Sequence, residues 1–150
     1  MVIFVKNGPY RKASTSLDLS ICFKVFKNIK FRQAAFGYFG HMWELYTFWT
    51  FIPILLIKYQ KLHSEIVVNI PILSFSIIAI GSLSCVLGGY ISQKFSIKKT
   101  AFGFLLLSCF CCLASPFIFQ LGNKNLFIIF LLFWGMVVIA DSPLFSTLVA

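Results

Sequence analysis

Four long apolar runs separated by short polar links set the frame of this chain of 150 residues. The runs cover residues 34–57, 66–92, 100–121 and 126–148. The first holds 24 residues; at about 1.5 Å rise per residue it reaches about 36 Å, enough to cross a hydrocarbon core of about 30 Å with some tilt. Polar residues gather at 58–65, 93–99 and 122–125, where helices are expected to end. The pattern predicts an all-α, polytopic membrane protein with four transmembrane helices, preceded by a basic connector. Residues 1–33 form one region, the end of a preceding helix plus the connector, and residues 34–150 the transmembrane bundle.

Small residues punctuate the second run. Gly81, Ser84, Cys85, Gly88 and Gly89 fall at spacings of four (81, 85, 89 and 84, 88), which allows close approach of another helix in lipid. Pro71 lies early in this run, and Pro116 is expected to break the third. Asp141-Ser142-Pro143 interrupts the fourth, and Pro143 frees the carbonyl of Ile139 from its helical bond. In the connector, Asn7-Gly8-Pro9 is a turn signal. From Ser16 the apolar positions Cys22, Val25, Phe26 and Ile29 recur at helical spacing, with Lys24, Lys27 and Lys30 between them. This segment reads either as an amphipathic helix at the headgroup level or as a solvated basic loop.

Composition sharpens the class. Hydrophobic residues make up 59% of the chain and charged residues 11%, with 19 Phe; soluble domains carry about 25% charged residues. The formal net charge of +9 comes from blocks between apolar runs, not from a patch of bases and aromatics, so no nucleic-acid partner is expected. The connector and the 93–99 link hold ten Lys and Arg, the 58–65 and 122–125 links three. By the positive-inside bias, the connector (6–33) and the 93–99 link are cytoplasmic and the other two lie outside. Residues 1–5 read as the last turn of a helix that begins upstream, and both ends are expected to be cut.

Candidate chemistry concentrates in residues 37–53, GYFGHMWELYTFWTFIP. His41 and Glu44 are ionisable groups inside an apolar run, where such groups usually face a bundle interior or a water-filled cavity. At 100° per residue, Gly37, Gly40, His41, Glu44, Phe48 and Phe51 share a sector of about 100°, with Trp43, Tyr46, Trp49 and Thr50 elsewhere. Two readings stay open: a His41–Glu44 pair that locks the helix to a neighbour, or a role in proton or substrate handling. Asp141 is the only other ionisable residue within a run, about 22 Å along from Leu126, while Glu44 lies about 15 Å along from Ala34. Both then fall in the cytoplasmic half of the bilayer. Asp141 reads either as a pathway residue or as part of a helix-ending turn.

Other chemistries are poorly supplied. The two His of the chain, His41 and His63, are too few for a membrane di-iron centre, and the Glu-x-x-His motif is reversed and occurs once. No Gly-x-Ser-x-Gly elbow is present. The Cys109-x-Cys111-Cys112 cluster points in several directions on a helix and reads as packing. Hence no enzyme activity, catalytic residue, cofactor or metal site is expected.

The residues also carry a resemblance. GYFGHMWELYTFWTFIP resembles the seventh helix of a bacterial branch of the major facilitator superfamily, and Asn7-Gly8-Pro9-Tyr10-Arg11-Lys12 resembles the central cytoplasmic loop of such transporters. Ala140-Asp-Ser-Pro-Leu-Phe-Ser-Thr-Leu-Val-Ala150 is similar to the end of their tenth helix. Gly89-Tyr-Ile-Ser-Gln93-Lys94-Phe-Ser96-Ile-Lys98-Lys99 looks like a degraded copy of the family motif Gly-x-x-x-Asp-Arg-x-Gly-Arg-Lys. Gln93 stands for the acidic residue and Ser96 for the second glycine, which puts the charge relay of that motif in doubt.

The resemblance implies a partial copy running from the end of helix six through helix ten of an MFS-like six-helix half. Its partners would be the lipid bilayer, the remaining helices of the transporter, and a small-molecule solute whose movement is coupled to protons or not. It implies a substrate or proton pathway of Glu44, His41 and Asp141, and a cytoplasmic gate loop with Gly89, Gln93, Lys94, Lys98 and Lys99. The location implied is a bacterial inner (plasma) membrane, and the partial set is not expected to transport alone. The alternative from another class is a free-standing four-helix membrane protein that acts by binding partners, without transport.

Overall fold

The computed structural model of the chain describes the backbone of residues 20–149 and the side chains of residues 23–148. The apolar scrap 1–5, the Asn7-Gly8-Pro9 turn, Ser16 and the Cys22 side chain lie outside the described residues. Among the described residues every regular element is an α-helix. Contacts divide the chain into two units, Met1–Arg32 and Gln33–Ala150.

In the first unit, α1 (Ser20–Phe26) is a short helix closed by the Lys27 and Asn28 N–H groups, which donate to the Lys24 and Val25 carbonyls. The periodic pattern predicts continuation through Ile29, but Asn28 intervenes. Its Oδ1 accepts from the Lys30 N–H at 3.0 Å, a local bond that competes with helix propagation and starts the next helix instead. Lys24, Lys27 and Lys30 are exposed, and so are Val25, Phe26 and Ile29.

α2 (Ile29–Leu62) is the longest element at 34 residues. It runs past the predicted 57 boundary, taking Lys58, Tyr59, Gln60 and Lys61 into the helix. α3 (Ile70–Lys94) starts later than the apolar run does. Asn69 Oδ1 caps it by accepting the Ile72 N–H at 3.2 Å, and Pro71 sits in the first turn, where its missing N–H costs no helical bond. α4 (Ile97–Gln120) contains Pro116 without breaking, contrary to expectation. The Cys112 carbonyl that Pro116 cannot reach accepts instead from Ser115 Oγ at 2.8 Å. Gly122, at φ 63°, is left-handed and turns the chain toward α5 (Lys124–Ala140), capped by Asn123. The fourth run is not one continuous helix: α5 stops at Ala140 and α6 (Ser142–Val149) begins after Asp141.

Among the described residues, three stretches are long and apolar enough to cross a membrane: Ile70–Lys94, Ile97–Gln120 and Lys124–Leu148. They mark an integral membrane protein. α2 is as long but less apolar, because His41, Glu44 and the polar atoms of its Tyr, Thr and Trp residues dilute its aliphatic content. Outward-facing Phe75, Val86, Phe110 and Phe117 are each at least 65% exposed, an apolar surface that lipid tolerates and water does not.

α5 is the centre of the second unit. Its Gly135 backs onto Ile77 of α3, its Ile139 onto Gly81, and its Ala140 onto Gly88. Contacts that advance together along both helices make α3 and α5 parallel neighbours. The tight stripe on α3 is Ser74, Ile77, Gly81, Ser84 and Gly88; Gly89, expected in the close contact, faces open space. The core joins Leu45, Phe48, Ile52, Leu56 and Tyr59 of α2 to Ile77, Phe127, Leu131, Val138 and Ile139. At the end where α5 begins, Tyr59 stacks on Phe127 with ring centroids 3.8 Å apart. There Lys124 Nζ donates to the Val67 carbonyl at 2.9 Å, and His63 Nε2 lies 3.3 Å from the Phe119 carbonyl. The links at 63–69 and 121–123 therefore share one end of the bundle.

Candidate functional site

The buried stripe of α2 is turned relative to the predicted sector. It follows Ala35, His41, Leu45, Phe48, Ile52, Leu56 and Tyr59, so Gly40 and Phe51 are exposed. Packing selects the face with the larger aliphatic content, and the sector containing Gly40 and Phe51 offers less. Gly37 keeps its expected role: a Cβ there would lie 3.0 Å from the Phe145 ring.

His41 stays on the buried face, with 1% of its surface exposed, and it meets the break between α5 and α6. Its Nδ1 lies 3.2 Å from Asp141 Oδ1, and Asp141 is also 1% exposed. The two atoms face each other without hydrogen-bond alignment and have no other protein partner. On the far side of the ring, Nε2 is 2.9 Å from Ser142 Oγ. Phe145 stacks against the imidazole at 5.3 Å between centroids and 18° between planes. The helix break explains the geometry. Pro143 cannot donate to the Ile139 carbonyl, the chain turns at Asp141, and α6 restarts with its first turn against His41. The Ile139 carbonyl, which Pro143 cannot serve, accepts from the Asp141 N–H that closes α5 and from Cys85 Sγ at 3.5 Å, so α3 helps hold the break.

Glu44 lies one turn on but faces α4. Its Oε1 accepts from Ser108 Oγ, which in turn accepts from Trp134 Nε1 of α5 at 3.1 Å. Trp134 packs on Phe48 with centroids 5.1 Å apart. Thus His41 and Glu44 are not partners of each other. Each anchors α2 to a different part of the bundle, and Asp141 is the partner of His41. Asp141 is the helix-ending residue of the second reading and is buried at that position.

Chemically, His41 has an acceptor-capable neighbour at each ring nitrogen. At Nε2 the ring can accept from the Ser142 hydroxyl or donate to it, since a hydroxyl reverses its role by rotation. On the other side Nδ1 and Asp141 Oδ1 face each other at 3.2 Å without hydrogen-bond alignment. Among the described residues no three His, Cys, Asp or Glu side chains gather as metal ligands would.

The basic link stays apart from this layer. Gln93 and Lys94 close α3, Lys98 and Lys99 open α4, and all four are exposed, with Lys94 Nζ 5.9 Å from the Tyr90 ring centroid. Sequence reasoning did not single out Ser108, Trp134 or Phe145, and read Ser142 only as part of the Asp-Ser-Pro break. Ser108, a hydroxyl in the middle of an apolar run, was the one available signal; the others acquire meaning only once α2 packs against α4, α5 and α6. Compared with known proteins, the chain matches no family model, no curated protein and no solved structure.

Proposed function

We propose that the chain is part of a secondary transporter of the major-facilitator type, moving a small solute by alternating access in a bacterial inner membrane. In this reading α2 is a fourth membrane-spanning helix, and the remaining helices of the transporter complete the pathway. His41, Asp141 and Glu44 handle the coupling proton or the solute, and Gly89, Gln93, Lys94, Lys98 and Lys99 belong to a cytoplasmic gate. The observation that carries the reading is the buried His41–Asp141 pair at a broken helix, inside a bundle with few other charges. Ionisable groups are retained at such positions when they serve a pathway, and broken helices near the midplane are where secondary transporters place their sites.

The test is uptake of labelled organic cations, organic anions, sugars and peptides by cells expressing the complete gene, with and without a protonophore. Accumulation of one class that the protonophore abolishes, and that Glu44→Gln lowers or shifts in pH dependence, is the expected result. Uptake equal to that of cells lacking the gene favours the alternative of a membrane protein that works by binding partners.

Topology provides an independent check. With the connector cytoplasmic, a cysteine at Lys61→Cys reacts with a membrane-impermeant maleimide added outside intact cells, in a background with the five native Cys replaced. Labelling only after the cells are opened reverses the orientation.

A further inference from the structure

Beside the Glu44–Ser108–Trp134 chain lies a cleft of about 320 Å³. Four rings line it, Trp43, Phe48 and Phe51 of α2 and Trp134 of α5, and Glu44 is its only charged side chain. Trp134 is held by its bond to Ser108 and by contact with Phe48, while Trp43 stands at the rim, 79% exposed. Glu44 is half-buried; Ser108 satisfies Oε1, and among the described residues no protein donor reaches Oε2. A carboxylate in apolar surroundings calls for a countercharge, and none of the residues lining the cleft supplies one.

These features select among ligand classes. An organic anion meets the like charge of Glu44. A sugar needs many polar partners, and the lining offers little beyond Thr47 and Glu44. An organic cation supplies the missing countercharge, and the ring faces add cation–π attraction that is strongest at Trp. We infer that this cleft binds a lipophilic monovalent organic cation, such as a quaternary phosphonium or ammonium carrying aryl groups. The inference rests on the transporter reading only for the movement of that cation; binding requires the cleft alone.

The probe is tetraphenylphosphonium, with tetraphenylborate as a control of similar shape and opposite charge. Binding to the purified full chain in detergent is measured by equilibrium dialysis and by quenching of tryptophan fluorescence. Saturable binding of the cation is expected, weakened about tenfold by Glu44→Gln through loss of the charge, and about two- to fivefold by Trp43→Ala. Glu44→Gln keeps an oxygen to accept from Ser108, and Trp43→Ala changes an exposed rim residue, so at least one variant reports on a folded protein; circular dichroism verifies this. No saturable cation binding, unchanged affinity in both variants, or equally tight tetraphenylborate overturns the proposal. Cation binding without any solute uptake would leave the cleft assignment standing and remove transport. Uptake of another solute without cation binding does the reverse.

Discussion

Gly135→Ala is expected to destabilise the folded chain by about 3 kcal/mol, or to prevent its accumulation, even though alanine is ordinarily the better helix former by about 1 kcal/mol. A Cβ at Gly135 would lie 2.6 Å from the Ile77 carbonyl oxygen. That atom is helical backbone, so relief requires α3 and α5 to separate, and separation weakens the packing that holds helices together where lipid is as apolar as the protein. Gly88→Ala meets the Ala140 carbonyl in the same way, next to the helix break. Gly103→Ala, with nothing within 4 Å of its Cβ, is the control and should be neutral or mildly stabilising. Reversible unfolding in mixed detergent micelles, followed by helical circular dichroism, measures all three. Equal stability of Gly135→Ala and Gly103→Ala would refute the close α3–α5 contact.

The behaviour of these glycines shows what a single chain discloses. Small residues at spacings of four identified α3 as a helix that approaches another closely. The partner and the rotation were hidden, and Gly89 proved to face open space while Gly88 meets backbone. Spacing fixes which residues share a face, but only the neighbour decides which face is used. The same holds for α2, whose polar sector was legible while its buried stripe turned toward the aliphatic positions.

Helix ends shifted for local reasons that sequence contains but periodicity ignores: caps at Asn69 and Asn123, and a serine that accommodates Pro116. The break at Asp141 was readable from Asp-Ser-Pro. Its partner was not, because His41 and Asp141 are a hundred residues apart in sequence, and only packing of α6 on α2 unites them.

The second large effect belongs to that pair. Removing one partner of a buried polar pair leaves the other's polar atoms uncompensated, at a cost of about 1–3 kcal/mol, and more where the remaining group is charged. Asp141→Leu alone and His41→Phe alone are each expected to destabilise on that scale in the same unfolding assay. The double variant should recover much of the loss, because a phenyl ring at position 41 can stack on Phe145 as the imidazole does and no unpaired charge remains. The coupling read from such a cycle should be about 2 kcal/mol. Additive losses would mean that the two groups do not act together. Uptake by cells expressing the complete gene then separates architecture from mechanism. If the pair only joins α2 to the α5–α6 break, the double variant regains transport along with stability. If it carries the coupling proton, the double variant is stable yet loses the protonophore-sensitive accumulation, since neither leucine nor phenylalanine can bind a proton. The first result leaves Glu44 as the proton-handling candidate; the second assigns that role to the pair.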